Sequence, residues 1–161
     1  MIAVLADTHM PKGGRALPER AVALLGEAEA TLHAGDFFAL ETLREVESFS
    51  RGPVHAVRGN VDQPDLRKLL PEALEVELGG ARVAMIHDSG PAKGRLGRMR
   101  RRFPDADAVT FGHSHLPLHE EEDGFQIFNP GSPTERRRSP RHSMGLLRVE
   151  SGGLVFEHVW L

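Results

Sequence analysis

Five short polar clusters hold the residues of this sequence that could do chemistry: Asp7-Thr8-His9, Gly35-Asp36, Gly59-Asn60-Val61-Asp62, His87-Asp88 and Gly112-His113-Ser114-His115. Asp7, Asp36 and Asn60 offer hard oxygens, and His9, His87, His113 and His115 offer imidazoles. That mixture suits borderline divalent ions such as Mn, Fe, Co, Ni or Zn better than Mg or Ca. Seven donors exceed the needs of one such ion. Two ions sharing a carboxylate would use them all, and a pair about 3.5–4 Å apart can activate a bridging hydroxide against phosphorus.

The clusters need strands to position them, and each follows a short apolar run. Strands are expected at Ile2–Ala6, Thr31–Ala34, Val54–Val57, Val83–Ile86 and Ala108–Phe111, with the polar residues at their carboxyl ends. Helical spacing between the first three runs, at Leu17–Ala28 and Leu40–Phe49, makes them parallel βαβ units. A short helix follows at Pro64–Leu70. The second half reads as a hairpin (Leu74–Leu78 with Val83–Ile86 across Gly79-Gly80) and a helix at Ala92–Phe103. Strands at Leu116–His119 and Phe125–Phe128 come next. A closing hairpin pairs Gly145–Val149 with Leu154–Trp160 across Ser151-Gly152-Gly153. Two packed sheets with helices outside are expected, in one domain spanning residues 1–161.

In order and spacing the five motifs resemble those of the calcineurin-like metallophosphoesterases. The short length, with Asn129-Pro130-Gly131-Ser132 followed by Pro140-Arg141, looks like the small bacterial and archaeal phosphodiesterase branch. The resemblance implies a four-layer αββα sandwich and two divalent transition-metal ions (Mn, Ni, Fe or Zn). Asp7, His9 and His115 would hold the first ion; Asn60, His87 and His113 the second; Asp36 would bridge them, and Asp62 would orient from outside. The implied activity is metal-dependent phosphodiester hydrolysis, acting on a small or nucleotide-like substrate. Phosphomonoesterase or nucleotidase activity, and a protein-interaction scaffold of the same fold, are the alternatives.

Two positions depart from the family pattern. Val61 stands where many larger members carry a histidine that assists the leaving group, which favours diesters over monoesters. Asp88 stands where a glycine is usual, and a contact to a His87 imidazole N–H is its expected role.

Composition narrows the rest. No cysteine is present, which excludes disulfides, thiol nucleophiles and thiolate metal sites. The net charge of -3 is unlike that of a nucleic-acid binder. The N-terminal apolar run meets Asp7 too soon for a signal peptide or a membrane span, so a cytoplasmic protein is expected. Lys93–Arg102 carries six basic residues and no acid, and reads as a solvated helix face before a phosphate-steering one. Arg58 could reach a substrate phosphate or form a salt bridge. Of the loop arginines Arg136, Arg137, Arg138 and Arg141, one is expected on substrate, and Arg141 is taken together with Asn60. His33 fits either a site-facing or a core histidine. Asp62 could instead cap the Pro64 helix. The closing hairpin and the Phe37-Phe38 segment leave a homodimer plausible.

Overall fold

Continuous apolar runs have no solvent face and must be covered on both sides. In the computed structural model, which describes residues 1–151 and 153–161, such runs form the centre of two five-stranded sheets. Strands β1 (Ile2–Leu5), β2 (Ala30–His33) and β3 (Val54–Ala56) are parallel, with Ile2 opposite Ala30 and Thr31 opposite Val54. Helices α1 (Glu19–Glu27) and α2 (Leu40–Phe49) connect them. The short α3 (Pro64–Leu69) has its proline at the first turn, where a missing N–H costs nothing. The second sheet has the order β4-β5-β6-β8-β7: Ala73–Leu78, Ala81–Ile86, Ala108–Thr110, Phe125–Asn129 and Leu118–Glu122. Helix α4 (Arg95–Arg102) precedes β6. The closing hairpin, β9 (Ser143–Glu150) and β10 (Gly153–Trp160), returns to the first sheet, where β9 pairs antiparallel with β1.

The period of two along a strand sorts the core into three apolar layers. Ala3 and Leu5 face α1 and α2 with Leu25, Phe37, Leu43 and Val46. Ile2 and Val4 point the other way and meet Val83, Met85, Phe128 and Leu147 between the sheets. Ala84 and Ile86 pack outward with Met99 and Phe103. Three apolar layers between four structural ones give the expected αββα sandwich. Each fully buried leucine or valine contributes about 1.5–3 kcal/mol.

Small differences from the expected boundaries have local causes. Helix α4 starts at Arg95, because Gly94 sits at φ 69°, outside helical geometry. Strand β7 starts at Leu118, because Pro117 has no N–H for the ladder. Of the expected turn Ser151-Gly152-Gly153, Gly152 lies outside the described residues. Phe37 is fully buried, so the Phe37-Phe38 segment offers no broad apolar surface for a dimer; Val155 and Trp160 on β10 stay exposed. Among the described residues no helix is long and apolar enough to cross a membrane.

Candidate metal centre

The parallel strands of both sheets deliver their carboxyl ends to one rim, and the loops beyond them are stitched together. The Asp7 N–H donates to the Gly35 carbonyl at 2.9 Å, His9 N–H to Asp36 at 3.0 Å, and Gly112 N–H to His87 at 3.0 Å. Backbone turns in these loops are sharp. Asp7, His9, Asp36, His113 and His115 all have positive φ, between 46° and 72°. Left-handed backbone at a non-glycine residue costs roughly 1–2 kcal/mol, and such strain gathers where a site needs it. Two glycines of the motifs are spatial requirements. A Cβ on Gly59 would lie 2.0 Å from Asp36 Oδ1, and one on Gly112 would lie 2.8 Å from Asp7 Oδ2.

Asp7, His9 and His115 bring one donor atom each to within 4.8 Å of one another, and so do Asp7, Asp36 and His87. Asp7 is therefore common to both groups. Asp36 lies between them: its Oδ2 is 3.3 Å from His9 Nε2 and 3.2 Å from His87 Nε2. Asn60 and His113 complete the second group, since Asn60 Oδ1 is 3.0 Å from His87 Nε2 and 2.9 Å from His113 Nδ1. All seven expected ligands thus converge.

Whether an ion fits is answered by buried atoms without partners. Asp7 Oδ2, His9 Nε2 and His115 Nε2 are three such atoms, and they belong to one donor group. Leaving buried polar atoms unpaired costs about 1–3 kcal/mol each, unless something absent from the protein chain satisfies them. The set of two carboxylates, one amide oxygen and four imidazoles fits divalent transition ions.

Electrostatics point the same way. Burial opposes a charge on His9, yet the Asp36 and Asp7 carboxylates beside it override this and raise its pKa to about 9. His87 is also raised, with burial again outweighed by Asp36. Burial opposes ionisation of Asp36, but the His87 and His9 imidazoles beside it hold its carboxyl well below the usual range. Protons on imidazoles here compensate carboxylate charge that cations would compensate in the loaded site.

The histidines are aimed from behind. His87 Nδ1 donates to the Ala34 carbonyl at 2.8 Å, leaving Nε2 to face Asp36. His115 Nδ1 donates to the Glu135 carbonyl, and His9 Nδ1 lies 3.1 Å from Glu135 Oε2. Arg15 holds the other oxygen of that carboxylate at 3.1 Å. Such contacts fix ring orientation and raise ligand basicity. His33 is buried behind the site: its ring lies 3.6 Å from that of Phe37, its Nε2 is 3.1 Å from Thr8 Oγ1, and burial lowers its pKa to about 3. The Asn129–Ser132 segment acts as a clamp. Asn129 Nδ2 donates to Gly112 O at 2.9 Å, and Ser132 Oγ to Asp7 O at 2.8 Å.

Several expected roles move. Both Asp62 oxygens accept from backbone amides, Gly59 at 2.7 Å and Phe38 at 2.8 Å. It makes no side-chain cap to α3. It braces the loop that carries Asn60. Arg58 pairs with Glu72 at 3.3 Å, beside the site rather than in it. Arg141 lies over the Trp160 ring, 5.9 Å from its centre, whereas Arg137 donates to the His113 carbonyl at 3.2 Å. Asp88 accepts from Gly90 N–H at 2.7 Å and makes no contact with His87's Nδ1, which is already spent on Ala34. In α4, Arg98 donates to the carbonyls of Ser89, Pro91 and Lys93, and Arg100 reaches Glu122, so much of that basic run holds the fold. Glu135 and Arg137 carry no spacing signal; a lone acid ahead of three arginines was the only mark in the sequence.

Known proteins agree with this geometry. The family described as the calcineurin-like phosphoesterase superfamily domain matches residues 1–152. A "probable metallophosphoesterase" of Methanothermobacter thermautotrophicus is 32% identical over 159 residues, 98% of this chain and 90% of that protein. Entamoeba histolytica Vps29 complexed with zinc shares the fold, with a TM-score of 0.77 at 23% identity, over 99% of this chain and 98% of that one. So does a chain described as a novel archaeal phosphodiesterase, with a TM-score of 0.77 at 21% identity, over 99% of each. The matched span contains every one of the five motifs that build the centre, and the chain belongs to the calcineurin-like phosphoesterase superfamily.

Proposed function

We propose that the chain is a hydrolase that uses two divalent transition ions, Mn, Ni, Fe or Zn, to cleave phosphodiesters. The observation that carries this reading is the trio of buried, partnerless atoms, Asp7 Oδ2, His9 Nε2 and His115 Nε2, beside a second donor group. Asp7, His9 and His115 would hold the first ion and Asn60, His87 and His113 the second. Asp36 would be shared between them, since its Oδ2 lies against one imidazole from each group. Two such ions, when bound, supply Lewis acidity and an activated water to phosphoryl transfer. The protein's own contribution is placement. Glu135 and Ala34 aim imidazoles, Ser132 and Asn129 lock the Asp7 and Gly112 loops, and Arg137 holds the His113 carbonyl.

The preference for a diester rests on what is missing at position 61. Val61 uses its backbone N–H on Asp36 Oδ1 at 2.9 Å, and its side chain has no proton for a leaving group. Asp88 lines the edge of the cavity beside His87, where its Oδ1 is tied to the Gly90 N–H. The absence of a histidine at position 61 fits the small bacterial and archaeal phosphodiesterase branch. The test is a comparison of kcat/KM for bis-nitrophenyl phosphate and nitrophenyl phosphate in manganese. The diester is expected to be the better substrate; a larger value for the monoester moves the protein to the phosphatase reading. Absence of turnover in a metal-loaded protein leaves the scaffold reading.

A further inference from the structure

A cavity of about 420 Å³ opens directly beside Asn60 and His87, and the metal-binding groups account for only one of its walls. Arg58, Arg67 and Arg102 line the others, with Glu72 and Asp88. That volume lies within the range of small-molecule sites. Resting on the phosphodiesterase reading, we propose that this cavity is a subsite for a second phosphate group carried by the substrate, gripped by Arg58 and Arg102.

The convergence of these two arginines is the evidence. Arg58 comes from the loop after β3 and Arg102 from the last turn of α4, 44 positions apart in the chain, yet both guanidinium groups point at one carboxylate. Glu72 Oε2 lies 3.3 Å from Arg58 and Glu72 Oε1 lies 3.1 Å from Arg102. Glu72 therefore occupies the place that an anionic ligand group would take. Its own hold is weak. The side chain is 62% exposed, and exposed pairs of this kind contribute about 0–1 kcal/mol. A phosphate offers more acceptor oxygens than a carboxylate and binds guanidinium forks in a bidentate way. It can displace Glu72 outward into water, while the two arginines stay where Glu72 has pre-oriented them.

Arg67 has a different duty. Its Nε donates to the Asp62 carbonyl at 2.7 Å, and its second nitrogen reaches the Asn60 carbonyl, so it stiffens the loop between the subsite and the metal centre. Asp88 is tied to Gly90 at the cavity's far edge. Three guanidinium groups against two carboxylates leave the cavity cationic, and more so once Glu72 turns away. Energy gained on a non-reacting phosphate there would help fix the scissile phosphodiester over the ions.

The test compares two substrates differing by that one group: the nitrophenyl ester of thymidine 5′-phosphate with and without a 3′-phosphate. The ester carrying the extra phosphate is expected to show at least about tenfold higher kcat/KM, the size of one charge-assisted hydrogen bond. The readout in each variant is the ratio between the two esters, which cancels general damage to the metal centre. Arg102→Gln should bring the ratio close to one, and Glu72→Gln, which frees both arginines, should raise it. A wild-type ratio near one, or a ratio that survives both Arg102→Gln and Arg58→Gln, leaves these residues as surface ion pairs and overturns the subsite. Calorimetry with thymidine 3′,5′-bisphosphate against thymidine 5′-phosphate reads the same preference without turnover. If neither ester is hydrolysed, the phosphodiesterase reading fails by itself. The subsite then stands on a bisphosphate preference lost in Arg102→Gln, and falls if the two ligands bind equally.

Discussion

The two halves of the metal centre are built differently. Asp7, His9 and His115 are 0%, 4% and 0% exposed, their donor atoms have no partners, and Glu135 braces both imidazoles from behind. Across the rim, Asn60 and His113 are exposed, His87 alone is buried, and the donor atoms already bond to each other through Asn60 Oδ1. An enclosed, pre-aimed group loses little on taking up an ion. An open group must break its internal hydrogen bonds first and competes with water. The enclosed half is thus suited to retaining its ion, and the open half, which adjoins the cavity, to exchanging ligands with solvent and substrate.

The largest effect should come from the residues both halves share. Asp36→Asn removes the charge lying against one imidazole of each half, and Asp7→Asn removes the charge of the carboxylate common to both donor groups. Either is expected to lower hydrolysis by about 10³ or more, the scale of lost positioned electrostatics, and elemental analysis should show both ions depleted. Near wild-type turnover in Asp36→Asn would place the reaction elsewhere in the molecule.

Acidity separates the halves next. With its pKa raised to about 9, His9 carries a proton at pH 7 in the metal-free chain, and that proton must leave before Nε2 can hold an ion. Affinity for the first ion should therefore rise with pH by up to about tenfold per unit below pH 9, giving roughly 50-fold between pH 7 and 9. Calorimetry in buffers of different ionisation enthalpy should count about one proton released at pH 7. No release would mean that His9 is not a ligand. The bracing carboxylate gives a smaller change confined to one half. Glu135→Gln should weaken the first ion about 10-fold, as loss of such support typically does, and leave the second within error. Equal weakening of both would erase the distinction between the halves.

Legibility in the sequence followed the same division of labour. The seven donors could be read because each sits at the end of a short apolar run, where chain direction and period decide what faces the rim. Layer order was legible for a similar reason, since Ile2 and Val4 against Ala3 and Leu5 spell two buried faces. The return of β9 to β1 was not, because antiparallel pairing at long range leaves no local trace. Glu135 escaped notice because one of its contacts is through a backbone carbonyl, which any residue possesses. Among the loop arginines, composition gave no means to separate Arg137 from Arg141; only the fold puts one on His113 and the other on Trp160.

The smallest effect is expected at Asp88, and it tests whether the open half depends on anything behind it. Adjacent residues on an extended chain point to opposite sides, so a buried His87 turns Asp88 outward. There its Oδ1 closes a turn onto Gly90, two residues before the chain bends toward α4, and His87 draws its support from Ala34. Replacing Asp88 with glycine therefore removes one exposed hydrogen bond, about 0.5–1.5 kcal/mol at most, and should lower the thermal midpoint of the metal-free protein by only a few degrees. Affinity for the second ion should change by less than about threefold, since a charge at the solvent-facing edge of the cavity is screened within roughly 10 Å at ordinary salt. Titration of the second ion into the variant and the parent decides the matter. A loss of tenfold or more would mean that the open half, like the enclosed one, is held by a carboxylate, and the contrast between the two would have to be redrawn.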